Sequence, residues 1–128
     1  MINGYLLGVD VGTTSTKVVI VEPSGKILSQ CSSEHELSVA RPGWTEEDPR
    51  DWWKGLVRAV KRCLSESSIE AARIAGIGVS GQIPTMVLVD EKGEPTRKAI
   101  LYSDSRAVDE MLWMRKTIDD EDVFKITG

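Results

Sequence analysis

Residues 8–17 read Gly-Val-Asp-Val-Gly-Thr-Thr-Ser-Thr-Lys and lie between two apolar runs. An acid, a glycine, two threonines and a base at this spacing suit a polyphosphate together with its magnesium ion. A turn at Gly12, Thr13 and Thr14 can aim backbone N–H groups and two hydroxyls at phosphate oxygens, as an anion-binding nest does. Asp10 supplies a hard oxygen for Mg2+ or for one of its waters. Gly12 admits a left-handed backbone and the close approach of a phosphate. Lys17 is a candidate second charge, although a lysine at the start of a strand is as often merely solvated. The G-x-x-x-x-G-K-[ST] spacing of a Walker loop is absent. A plain hairpin turn capped by Asp10 would use the same residues. Against it, Val9 and Val11 flank the acid inside the apolar run, where a turn-capping acid would normally lie outside.

The elements that must hold this segment are readable from their punctuation. The pattern predicts strands over Tyr5 to Val11, Lys17 to Glu22 and Lys26 to about Glu34, the last two joined by a turn at Pro23-Ser24-Gly25. Val18-Val19-Ile20-Val21 is apolar without alternation, which predicts a strand covered on both faces. A loop spans about Ser38 to Glu47. A helix follows, with Asp48 as N-cap, Pro49 in the first helical position and Asp51 near the positive end of the dipole. Trp53, Leu56, Val57, Val60, Cys63 and Leu64 recur at helical spacing and predict the buried stripe, with Arg58, Lys61 and Arg62 on the wet side. The Trp52-Trp53 pair reads as core packing in preference to a ligand role. Beyond the helix, strands are expected at Ile74 to Ser80, Met86 to Val89 and Ala99 to Tyr102. Ser103 or Asp104 is placed to cap a helix reaching about Thr117, with Val108, Met111 and Leu112 inward. Another helical turn begins within Asp119 to Asp122. Three strands, a helix, then more strands and helices make an α/β layout with a mixed sheet.

Composition narrows the class. With 128 residues and a hydrophobic content of 41%, the chain has the size and makeup of one globular domain, small for a complete metabolic enzyme. A net charge of −4 gives no electrostatic case for nucleic acid or an anionic membrane. Two cysteines without C-x-x-C spacing and a single histidine argue against a zinc site or a disulfide scaffold. No basic n-region opens the sequence and no apolar stretch reaches spanning length, so the expectation is a cytoplasmic protein.

The D-x-G-T-T-x-x-K pattern of Asp10–Lys17 resembles the first phosphate loop of the superfamily of sugar kinases, heat-shock chaperones and actin. Three further segments narrow this. Gly43-Trp44-Thr45-Glu46-Glu47-Asp48-Pro49-Arg50-Asp51-Trp52-Trp53 resembles the G-W-x-E-x-D-P-x-x-W-W stretch of the FGGY carbohydrate kinases. Ile77-Gly78-Val79-Ser80-Gly81-Gln82 is similar to their G-I-S-G-Q strand end. Ala99-Ile100-Leu101-Tyr102-Ser103-Asp104-Ser105-Arg106 is similar to their A-I-L-W-x-D-x-R segment. The four motifs stand in the family's order and cover nearly the whole chain, and they look most like the xylulokinase branch.

The resemblance implies an RNase H-like, actin-like ATPase fold, with residues 1–128 forming the N-terminal part of the first domain. It implies transfer of the γ-phosphoryl group of ATP, with Mg2+, to a hydroxyl of a sugar or polyol. Asp10 would serve the metal, Gly12, Thr13, Thr14 and Lys17 the phosphates, and Gln82, Ile83, Pro84, Tyr102, Asp104 and Arg106 the sugar. Asp104 could equally cap a helix, and Arg106 could merely pair with Asp109 or Glu110. Ile83-Pro84 stands where xylulokinases usually carry Met-His, and Tyr102 where they carry Trp. These departures leave the identity of the sugar open. The family's general base and adenosine segment lie beyond residue 128, so the chain is expected to be inactive alone: a truncation, a split gene product or a degraded copy. A non-catalytic nucleotide-binding module, or a subunit completing a partner chain, is the rival expectation, and a homo-oligomer would cover a half-domain's open faces.

Overall fold

The sheet is built from the meander that the turn residues announce. In a computed structural model, which describes residues 4–127, β1 (Tyr5–Val11), β2 (Ser15–Val21) and β3 (Ile27–Glu34) run antiparallel in sequence. Gly25 takes a left-handed φ of 92° in the β2–β3 turn, a conformation that favours glycine. After a short strand β4 (Glu46–Glu47), helix α1 (Pro49–Ser67) crosses the sheet. A single 3-10 turn at Ala71–Arg73 then leads into β5 (Ile74–Gly81), which lies parallel to β1. The order is β3-β2-β1-β5, a mixed sheet with β1 at its interior and β5 at one end. A second, two-stranded sheet pairs β4 with β6 (Ala99–Ile100). Helices α2 (Val108–Thr117) and α3 (Asp120–Thr127) follow.

α1 begins where its capping residues say it should. Asp48 accepts the Arg50 N–H at 2.9 Å and Pro49 occupies the first turn, so two otherwise orphaned positions are settled locally. Its closest face differs from the expected stripe. Gly55, Ala59 and Cys63, spaced by four, are the buried positions, because only small side chains let a helix lie tightly on the β2–β3 surface. Leu56, Val60 and Leu64 flank this seam half-buried, whereas Trp53 is 67% exposed. The core comprises Leu7, Val9, Val18, Ile20, Cys31, Ala59 and Cys63.

Among the described residues, only one face of the sheet is covered. Val18 and Ile20 point under α1, while Val19 and Val21 are half-buried on the other side, so β2 is not sealed on both faces as its apolar run suggested. Three other expectations differ from the observed fold. Glu46–Glu47 is a strand within the expected loop, bridged also to Ser38. Met86 to Val89 makes only isolated bridges, Met86 to Ile100 and Val89 to Pro95. α2 starts at Val108 with Ala107 at its N-cap, and Val108, Met111 and Leu112 are exposed. No helix among the described residues is long and apolar enough to cross a membrane.

Candidate functional site

Strand alternation decides where the acid points. Leu7 and Val9 are buried beneath α1, so Asp10 projects from the open face, and it is exposed. It lies opposite Lys17 on β2 and Ser80 on β5. Gly8, Asp10, Lys17, Val19 and Gln30 line a depression of about 300 Å³ on that face. An exposed acid thus stands beside the bend.

The bend is tighter than expected. Gly12 N–H donates to Ser15 O at 3.0 Å, so that amide is spent on closing the turn and does not reach outward. Gly12 is not left-handed; a Cβ there would sit 3.3 Å from Ser15 O, and this close approach is the reason for glycine. Thr14 O accepts the His35 N–H at 3.1 Å, which anchors the turn to the end of β3. Thr14 stays exposed and Thr13 half-buried. An exposed carboxylate offering a hard oxygen fits an ion that keeps most of its waters, as Mg2+ does. Among the described residues no group of three or more His, Cys, Asp and Glu side chains forms a closed metal site.

β1 and β5 run side by side and end together, Val11 opposite Gly81. Gln82 N–H donates to Val11 O at 3.0 Å, which puts Gln82 directly beside the start of the bend. Its side chain lines a cleft of about 530 Å³ between the start of α1 and the end of β5, with Trp52, Trp53, Ser80 and Thr85 among the walls. Trp52 and Trp53 are therefore cleft walls and not interior packing. Ile83 and Tyr102 are exposed, and the Ile83–Pro84 peptide bond is cis.

Asp104 and Arg106 belong to a second cluster. Asp104 accepts four hydrogen bonds: from Thr45 N at 2.7 Å, and from Arg106 N, Nε and an η nitrogen at 2.9, 2.8 and 2.7 Å. The Arg106 guanidinium beside it holds its carboxyl well below the usual range, helped by the backbone N–H groups of Arg106 and Thr45. Arg106 also reaches Glu46 at 2.9 Å, and its partners are thus Asp104 and Glu46, not Asp109 or Glu110. Glu46 is lowered in turn, first by Arg106 and then by Arg97. Gly43, left-handed at φ 79°, accepts from Ser105 N at 2.8 Å; a Cβ there would strike Ser105 Oγ at 2.5 Å.

The two clusters meet at β4. Adjacent strand residues point to opposite sides, so Glu46 serves Arg97 and Arg106 while Glu47 turns toward Trp52 and Gln82. These paired glutamates, and His35 behind them, are the functional candidates that motif reading passed over. Three consecutive acids, Glu46, Glu47 and Asp48, between Trp44 and Trp52 were the available signal.

Known proteins share both the sequence and the architecture. The description "FGGY family of carbohydrate kinases, N-terminal domain" matches residues 5–128. A xylulose kinase of Staphylococcus epidermidis is 33% identical over 106 residues, spanning 83% of this chain and 21% of that protein. A glycerol kinase of Chelativorans sp. is 39% identical over 104 residues, spanning 80% and 21%. The crystal structure of xylulose kinase from Rhodospirillum rubrum superposes with a TM-score of 0.85 at 33% identity, over 91% of this chain and 24% of that one. The ligand-bound xylulose kinase from Lactobacillus acidophilus gives 0.88 at 25%, over 97% and 25%. The chain thus spans about a fifth to a quarter of the length of these relatives. Its mixed sheet and helices form part of an actin-like ATPase domain, as the sequence implied. On these matches the chain belongs to the FGGY family of carbohydrate kinases.

Proposed function

We infer that this chain supplies the phosphate-binding turn and the sugar-facing edge of a cytoplasmic kinase acting on a sugar or polyol hydroxyl, with ATP and Mg2+ as cofactors. The observation that carries this reading is the shared strand end: Asp10, the Gly12–Thr14 bend and Gln82 stand together because β1 and β5 are parallel and in register. Phosphoryl transfer asks a protein mainly for charge neutralisation and in-line placement. Asp10 would hold the metal side, which neutralises the polyphosphate charge when bound. Thr13 and Thr14 would meet phosphate oxygens through their hydroxyls, and Lys17, opposite Asp10, would add charge. Gln82, with Ile83 and Pro84 after it, would border the sugar. Tyr102 would offer an aromatic platform. Asp104 and Arg106, saturated by each other and by Glu46, would act on the sugar side by fixing the loop that carries Tyr102.

We propose that residues 1–128, about a fifth of the relatives' length, bind without turnover by themselves, and that the remainder of the kinase completes the site. Titration of Mg-ATP into the wild-type chain and into Asp10→Asn tests the binding role. Weak, Mg2+-dependent binding that Asp10→Asn removes is expected, and equal binding by both would overturn it. A coupled ADP-release assay with xylulose, ribulose, glycerol and gluconate tests the second part: clear turnover on any of them would refute the claim of inactivity.

A further inference from the structure

Glu47 is buried to 1% exposure, yet it belongs to neither the phosphate turn nor the Asp104 cluster. Burying a carboxylate costs several kcal/mol unless donors surround it. Its Oε2 accepts from the Trp52 indole N–H and from Gln82 Nε2, the latter at 3.0 Å. Its Oε1 has no hydrogen bond and faces the buried His35 ring, 3.7 Å from Nδ1. The amide nitrogen of Gln82, not its oxygen, points at Glu47 and donates to it. That choice turns Gln82 Oε1 away from Glu47. It is buried there without a partner, as is Thr85 Oγ1, and both residues line the cleft beside the bend. Unpaired buried polar atoms of this kind are costly and call for a ligand or water.

We propose that Glu47 is a positioning residue: it locks the Gln82 amide with its carbonyl toward the cleft, and this carbonyl and the Thr85 hydroxyl together read two adjacent hydroxyls of the substrate. The proposal rests on the carbohydrate-kinase reading for its ligand, but not for the lock. A fixed carbonyl accepts a hydroxyl hydrogen and rejects an acceptor. The Thr85 hydroxyl both donates and accepts, so it matches a neighbouring hydroxyl in either sense. Substrates with a vicinal diol are thereby favoured over those whose hydroxyls are separated by a methylene.

Nuclear magnetic resonance on the full chain separates the two parts. Gln82 and Gln30 are the only glutamines, and Gln30 is exposed, so it serves as an internal reference. Without ligand, a Gln82 side-chain N–H should exchange with water roughly tenfold more slowly than those of Gln30, the scale of one buried hydrogen bond. Glu47→Leu, which removes both acceptor oxygens, should abolish that protection while the Trp52 indole signal stays dispersed. Gln82 exchanging as fast as Gln30, or unaffected by the substitution, would overturn the lock. Adding xylulose or glycerol should then shift the Gln82 and Thr85 signals, with 1,3-propanediol silent, and Glu47→Leu or Thr85→Val should weaken binding about tenfold. A protected Gln82 that responds to no polyol would leave the lock standing and count against the carbohydrate-kinase reading of this cleft. Equal responses to glycerol and 1,3-propanediol would overturn the diol assignment alone.

Discussion

The Arg106 guanidinium carbon lies 3.8 Å over the centroid of the Trp44 ring, while its nitrogens are held by Asp104 and Glu46. A cation stacked on an indole and forked onto carboxylates is held in one place. Trp44 comes from the segment before α1 and Arg106 from the segment before α2, so this contact joins two parts of the chain far apart in sequence.

Acid should dissolve that joint. Asp104 is depressed in the folded state, so its contribution is fully present above the ordinary aspartate value and is lost as pH falls through the folded one. Urea unfolding between pH 7 and pH 2.5 should show stability falling below about pH 4. Asp104→Asn should cost about 1–3 kcal/mol at pH 7 and flatten the acid limb.

Gly55 sits mid-helix for closeness, but the space is not full. A Cβ there would meet Thr16 Oγ1 at 3.5 Å and Ser33 Oγ at 3.7 Å, ordinary contact distances. Gly55→Ala should therefore stabilise the chain by about 0.5–1 kcal/mol through the backbone entropy that glycine loses in a helix. Chemical denaturation of the two forms checks the sign.

Trp53 and Ala59 should invert the usual expectation about size. Trp53 is largely exposed, so Trp53→Ala should change stability by less than about 1 kcal/mol. Ala59 is 1% exposed against the sheet, and Ala59→Leu should cost about 1–3 kcal/mol by overpacking. Comparing the two urea midpoints decides it.

The thiols should be silent until the fold opens. Cys31 and Cys63 are free and buried, and burial, reinforced by the neighbouring Cys63 and Glu66, pushes the Cys31 thiol up to about 11. The reactive thiolate is then scarce at pH 8. Ellman's reagent should find almost no reaction in the folded chain and two thiols in urea.

Local signals made the first half of the fold legible. Pro23-Ser24-Gly25 marked a turn, Asp48-Pro49 marked a helix start, and the apolar run of Tyr5–Val11 marked a strand; each signal acts within a few residues. The seam of Gly55, Ala59 and Cys63 was not legible, because its meaning comes from the closeness of β2 and β3 and not from hydrophobicity. Likewise Glu46 and Glu47 diverge only once β6 pairs with β4 and fixes which side each faces. At the site, Asp10 and Gln82 were readable as motif ends, but their adjacency depends on the parallel pairing of β1 with β5. The inward face expected for α2 failed because Val108, Met111 and Leu112 find no packing partner that buries them among the described residues.

The two-residue rhythm of β1 has a further consequence. Were that strand to shift by one position against β2, Asp10 would swing into the oily layer under α1 and Val9 would emerge into water. A misaligned hairpin therefore carries its own penalty, and the requirement that keeps grease inside also keeps the acid on the open side.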